Sequence, residues 1–247
     1  LSNRKGTIMD SGVEALTKYK MFIGGEWVDS ASGETFESFN PYTAQPWALM
    51  PKGNADDIDR AVEAADKAFN GGEWPALTAT ARGHMIRKFA DLITEKADEL
   101  AEIEVRDNGK LIAEMSAQCK YLTQWYYYYA GLCDKIEGSV IPIDKPGHFN
   151  YTVWEPLGVC ACIVPWNSPL LLLAWKLAPL LAAGNTAVIK PSEYTSASTL
   201  EFMKIAEQVF PPGVVNVVTG FGAEAGGPLV DHPKVAKVAF TGSDATG

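Results

Sequence analysis

Val159-Cys160-Ala161-Cys162-Ile163-Val164 is a short, continuous apolar run; Pro165-Trp166-Asn167-Ser168-Pro169 follows it, and then a longer apolar stretch over 170–183. A run of six with β-branched residues, closed by prolines, reads as a strand buried on both faces, and the stretch after it is long enough for a helix. The pattern then repeats. A strand over 186–189 precedes a helix over 196–209, a strand over 214–218, a helix over 223–230 and a strand over 235–240. Strands without polar alternation, separated by helices, predict an α/β fold: a Rossmann-like parallel sheet with helices on both faces.

Upstream, residues 21–28 alternate and turn at Gly24-Gly25, which predicts a hairpin at an edge, and the segment to Thr43 predicts a second one. Ile58, Ala61, Val62, Ala65, Ala68 and Phe69 share one helical face, with Asn54 as N-cap. A second helix carries Met85, Ile86, Phe89, Leu92, Ile93, Ala97, Leu100 and Ile103, and a third spans about 113–133. The aromatic run 125–129 in that third helix reads as packing. Between 137 and 156 the helical period is lost, and Ile141-Pro142-Ile143 and Tyr151-Thr152-Val153-Trp154 flank the turn Lys145-Pro146-Gly147. That is a hairpin projecting from the body.

The chain has 247 residues, 47% of them hydrophobic, enough for a substantial core rather than disorder. With 21 basic and 30 acidic residues its net charge is -9, which offers no footprint for nucleic acid. The run 170–183 is too short to span a membrane, and Lys176 and Pro179 interrupt it. Four cysteines without a secretory segment indicate reduced thiols and a cytoplasmic protein. Cys160 and Cys162 sit inside a strand with no complementary pair elsewhere, so they read as buried thiols and no metal site is expected. His84, His148 and His232 have no neighbours in sequence that suggest a catalytic base.

In open parallel sheets ligands bind beyond the carboxyl ends of the strands. The segments there are Pro165-Trp166-Asn167-Ser168-Pro169, Lys190-Pro191-Ser192-Glu193, Gly220-Phe221-Gly222 and Thr241-Gly242-Ser243. Each alone has an ordinary reading as a turn or a helix start; their convergence on one edge is what points to a site. Gly242-Ser243, opening a predicted helix, suits a pyrophosphate through free N–H groups and the helix dipole. Glu193 suits ribose hydroxyls, and its charge would oppose a 2′-phosphate. The glycines at 220, 222 and 226 only approximate a dinucleotide fingerprint, because their spacing is wrong.

Pro165-Trp166-Asn167, Lys190-Pro191-Ser192-Glu193, Phe221-Gly222 and Phe240-Thr241-Gly242-Ser243 resemble, in order and spacing, the amino-terminal half of the aldehyde dehydrogenase superfamily, and the resemblance runs from Phe22 to the end. It implies a cofactor cleft lined by Ile163, Val164, Pro165 and Trp166, with Lys190, Ser192 and Glu193 at the adenosine ribose. Gly222, Phe240, Thr241, Gly242 and Ser243 complete the cofactor set, and Ser243 meets the pyrophosphate. The cofactor implied is NAD, with NADP the weaker candidate. Asn167 would donate its amide to an oxyanion; its ordinary alternative is to cap the helix that follows. Ser168, where many relatives carry an aromatic residue, implies a roomier pocket mouth beside Leu172 and Trp175.

The chemistry implied is attack of a cysteine thiolate on an aldehyde, hydride transfer to NAD, and hydrolysis of the thioester by water that a glutamate activates. No cysteine here stands at the nucleophile position, so thiol and glutamate are expected after Gly247. The expected organisation is an NAD-binding domain from 1–137 and 157–247, an oligomerisation hairpin over 138–156 that builds a homodimer or homotetramer, and a catalytic domain beyond 247. Two other readings stay open: a non-catalytic derivative of the family, separated from the first by the gene sequence past Gly247, and a generic Rossmann dehydrogenase, disfavoured by the missing glycine fingerprint.

Overall fold

The computed structural model describes residues 16–244, 246 and 247. Residues 1–15 and 245, the outer ends of the expected NAD-binding domain, lie outside the described residues.

The chain opens with β1 (Thr17–Lys18), the hairpin β2 (Met21–Ile23) and β3 (Glu26–Val28), and the hairpin β4 (Thr35–Asn40) and β5 (Gln45–Pro51). Three helices follow: α1 (Ala55–Asn70), α2 (Ala79–Asn108) and α3 (Ile112–Leu132). Asn54 caps α1 as its sequence requires: its side chain accepts from the N–H groups of Asp56 (2.9 Å) and Asp57 (3.3 Å), and Asp57 reaches back to the Asn54 N–H. In the projecting segment, β6 (Val140–Ile141) pairs antiparallel with β7 (Asn150–Tyr151), and every residue from 134 to 157 is exposed.

The alternating region is β8 (Val159–Ile163), α4 (Pro169–Ala182), β9 (Thr186–Lys190), α5 (Ala197–Ala206), β10 (Val215–Val217), α6 (Gly227–Asp231) and β11 (Val235–Phe240). Its four strands run parallel in the order β11-β8-β9-β10. The hairpin β2–β3 continues this sheet: β2 pairs antiparallel with β10, so the hairpin is an integral part of the main sheet. Asn216, fully buried in β10, fixes that junction. Its Oδ1 accepts from the Gly24 N–H (2.8 Å) while its Nδ2 donates to the carbonyls of Ala187 (3.1 Å) and Gly213 (2.7 Å).

Helices cover both faces. On one, Ile58, Ala61, Val62 and Ala65 of α1 and Leu229 of α6 pack with Val159, Ala161 and Val188. On the other, α4 and α5 lie against the sheet and α2 and α3 pack behind them, with Phe89, Tyr126, Leu173 and Phe202 at the centre. Phe89 meets Tyr126, Phe202 and Phe210 edge-on at centroid distances near 5 Å (5.1, 5.0 and 5.1 Å).

Two local expectations differ from what forms. The helix expected over 223–230 is a π-turn over Gly222–Gly226 followed by the short α6, because glycines at 222, 226 and 227 lower the helical preference of the segment. After Phe240 the Gly247 N–H donates to the Ser243 carbonyl (3.2 Å), and no helix forms among the described residues there.

Candidate functional site

From β8 the chain moves through β9 to β10 on one side and then returns, through α6, to place β11 on the other side of β8. The connection direction therefore reverses between β8 and β11, and a crevice must open at their carboxyl ends. A cavity of about 550 Å³ lies there, with Ile163, Phe240, Gly222, Gly226, Val230 and Lys190 among its walls. Gly222 leaves open space where a side chain would stand, so that wall is backbone.

Lys190 ends β9 and is buried; burial pushes its ammonium below the usual lysine range, and the Glu193 carboxylate opposes that shift. The two lie 3.5 Å apart. Glu193 also borders a second hollow of about 900 Å³, shared with Trp166, Tyr194, Phe221 and the strand β4. Ile163, Lys190, Gly222 and Phe240 thus meet in the first cavity, while Trp166 and Glu193 face the second.

Val164 and Ser192 are turned into the fold. Val164 continues the ladder to the Lys190 carbonyl, and Ser192 organises its own turn, its carbonyl accepting from the Ser196 hydroxyl (2.9 Å) and its hydroxyl from the Tyr194 N–H (3.4 Å). Pro165 is half-buried. At the end of β11, the Thr241 hydroxyl accepts from Lys176 Nζ at 2.5 Å. Gly242 lies against the Phe240 ring, where any side chain would overlap it, and Ser243 is exposed with its hydroxyl 3.0 Å from that of Thr246.

Asn167 is exposed at the same edge. It does not cap α4. That helix begins at Pro169 behind Ser168, and neither supplies a side-chain cap. Ser168 is buried, its hydroxyl accepting from Lys110 Nζ (3.4 Å), so it is held inside the fold. Leu172 is half-buried and Trp175 is 46% exposed on the first turns of α4.

Two aromatic residues of α3 join Trp175: Trp125, from the run read as packing, and Tyr121, which the sequence reading does not single out. Tyr126 is core, but Trp125 meets Trp175 at 5.8 Å between centroids and Tyr121 at 6.4 Å, forming an aromatic row between α3 and α4. The available signal was helical spacing: 121 and 125 are four apart and share a face distinct from that of 122 and 126.

All four cysteines are buried and free. Burial raises every thiol, Cys160 to about 11 and Cys162 to about 12, so none is poised as a thiolate. His232 lies 3.2 Å from Asp59 on the surface, where Lys234 pairs with Glu63 and Asp66; this charge network ties the start of β11 to α1. Among the described residues no helix is long and apolar enough to cross a membrane.

The winding and the crevice define a doubly wound α/β protein whose ligand edge lies at the switch between β8 and β11. Residues 27–247 match the aldehyde dehydrogenase family, and the chain belongs to it. It is 50% identical over 232 residues to the (Z)-2-((N-methylformamido)methylene)-5-hydroxybutyrolactone dehydrogenase of Acinetobacter baylyi, a match covering 94% of this chain and 47% of that protein. It is 44% identical over 241 residues to the hydroxyisobutyraldehyde dehydrogenase of Mycolicibacterium austroafricanum, covering 96% and 47%. Among solved structures, the NAD+ complex of an aldehyde dehydrogenase from Bacillus cereus superposes with a TM-score of 0.91 at 46% identity, covering 93% of this chain and 47% of that one. The chain spans about half the length of these relatives.

Proposed function

We propose that this chain is the NAD-binding part of a longer aldehyde dehydrogenase, which oxidises a small aldehyde to the carboxylic acid. The observation that carries the reading is the crevice at the switch point: Lys190, at the end of β9, shares its wall with the bare glycine backbone of Gly222 and Gly226 and with Phe240, and Glu193 pairs with Lys190 from the adjoining hollow. Those residues fit a dinucleotide. Lys190 and Glu193 would take the adenosine ribose, Ile163, Val164, Pro165 and Trp166 the cleft, and Gly242, Ser243 and Thr241 the pyrophosphate end. NAD, when bound, accepts the hydride.

Asn167 would donate its side-chain N–H to charge developing on the aldehyde oxygen, a role open to it because its amide is free of the helix behind it. The acyl group would lie along Leu172, Trp175, Trp125 and Tyr121. The nucleophilic thiol and the water-activating carboxylate belong to the remainder of the longer protein, since the four thiols here are buried. Four free cysteines accord with a cytoplasmic setting. The exposed hairpin over 138–156 would be the arm of a homodimer or homotetramer.

Glu193 sets the cofactor preference. Its carboxylate accepts from ribose hydroxyls and repels a 2′-phosphate, so kcat/KM of the longer enzyme is expected to favour NAD over NADP by about tenfold or more. Steady-state kinetics with each cofactor test this, and an NADP value equal to or above that for NAD would overturn the assignment.

A further inference from the structure

The last turns of α2 carry two carboxylates in line with its apolar stripe, Glu104 and Asp107, and both are buried. Each serves the start of a different helix. Asp107 accepts from the Ala197 N–H of α5 (2.9 Å) and from the Ser38 hydroxyl of β4 (2.7 Å), which ties two elements together. Glu104 has narrower attachments: its Oε1 accepts from the Leu170 N–H of α4 at 2.9 Å, and the Cys119 thiol of α3 points at its Oε2 from 3.9 Å.

Leu170 lies three residues beyond Asn167. The N-cap position of α4 is held by Ser168, yet the serine hydroxyl accepts from Lys110, two residues past the end of α2. Local capping has thus been replaced by remote capping from α2. A carboxylate at a helix N-terminus is favoured by the free N–H groups and the dipole there. The start of α4 behind the Asn167 loop is consequently held by Glu104 of α2 and by Lys110 of the α2–α3 connection, and not by a local cap.

We infer that Glu104 is a positioning residue for Asn167, fixing through Leu170 the first turn of α4 and so the direction in which the Asn167 amide is presented. The inference rests on the oxyanion role proposed above. An oxyanion donor must sit within a few tenths of an ångström of its target, and displacement by about 1 Å can cost up to about 10²-fold in rate.

A double-mutant cycle in the longer enzyme tests the link. Glu104→Leu, similar in bulk and without an acceptor, should lower kcat by about tenfold or more while KM for NAD stays within about twofold. Glu104→Gln, whose amide oxygen can still accept from Leu170, should restore kcat to within about threefold of the parent. In an Asn167→Ala background the Leu substitution should cost less than about twofold, because the group it positions is gone. The same fold-loss in both backgrounds, or a Leu variant with parental kcat, would overturn the inference. If the Leu variant does not fold, Glu104→Asp, which withdraws the carboxylate by one methylene, takes its place in the cycle under the same criteria. A parent without aldehyde-oxidising activity would overturn the proposed function and this inference with it, whereas an active parent with multiplicative losses overturns this inference alone.

Discussion

The strands β8 and β9 and the arm over 134–157 both carry β-branched apolar residues, and these end in opposite environments. Cys160, Ala161, Cys162, Ala187, Val188 and Ile189 are buried on both faces of the sheet, each ladder neighboured by another. Val140, Ile141, Phe149, Tyr151, Val153 and Trp154 stand exposed on a ladder of two residue pairs. A lone two-stranded hairpin is marginal in water, and a contiguous apolar surface calls for a cover. Composition therefore does not separate framework from interaction surface; coverage does. The loop bearing Asn167 lies between these extremes, exposed at its tip and clamped from behind.

The largest effect is expected in the framework. Leu173, fully buried on α4, leaves a cavity when truncated, and Leu173→Ala should lower the unfolding free energy by about 2–5 kcal/mol in denaturant titrations. If the loss were under about 1 kcal/mol, the core side of the comparison would fail. Asn167→Ala should invert that signature, with kcat of the longer enzyme down by about 10²-fold and melting temperature almost unchanged, since no cap is lost. Near-normal turnover with reduced melting temperature would return Asn167 to a capping role.

A subtler effect concerns pH. Burial raises the Glu104 carboxyl from 4.5 to about 7, with Asp107 adding to the shift and the Leu170 N–H, Lys110 and Cys119 opposing or modulating it. The folded state then holds this proton more tightly than the unfolded chain, so the stability Glu104 contributes is complete below pH 4.5 and is lost as pH rises through about 7. Asp107, raised from 3.8 to about 6, acts in the same sense. Glu104→Gln should therefore flatten the decline of melting temperature between pH 4.5 and 7, and an unaltered slope would contradict the burial argument. Smallest of all, Trp154→Ser on the arm should change the stability of the isolated chain by no more than about 0.5 kcal/mol. Its effect should appear in assembly, as a lower mass by light scattering of the longer enzyme; an unchanged oligomer would remove the arm from the interface.

Periodicity made the helices and the parallel strands legible, because apolar spacing is a local property. Partnership is not. Residues 21–28 announce a hairpin, but nothing in them says that β2 pairs with a strand almost two hundred positions away. Glu104 and Asp107 are not marked as buried by their residue type, although they fall in register with Ile93, Ala97 and Leu100, and that register is the available signal. The ligand edge was legible because strand ends concentrate Pro, Asn, Gly and Lys in turns, and the family resemblance supplied the roles. The sequence pattern does not tell which of those residues face a cavity: Ser168 and Ser192 are held in the fold, and Trp125 both packs against the core and meets Trp175.

The pairing of β2 with β10 through Asn216 has a temporal consequence. Synthesis proceeds from the amino terminus at roughly 5–20 residues per second. Gly24 and Asn216 are separated by 192 positions, so the hairpin waits about 10–40 s for the strand that receives it. Throughout that interval Met21, Phe22 and Ile23 lack β10 as a neighbour, while α1, α2 and α3 emerge and become available to collapse. Closure of the main sheet is thus a late event for the nascent chain, and the hairpin made before the helices is among the last elements to reach its final partner.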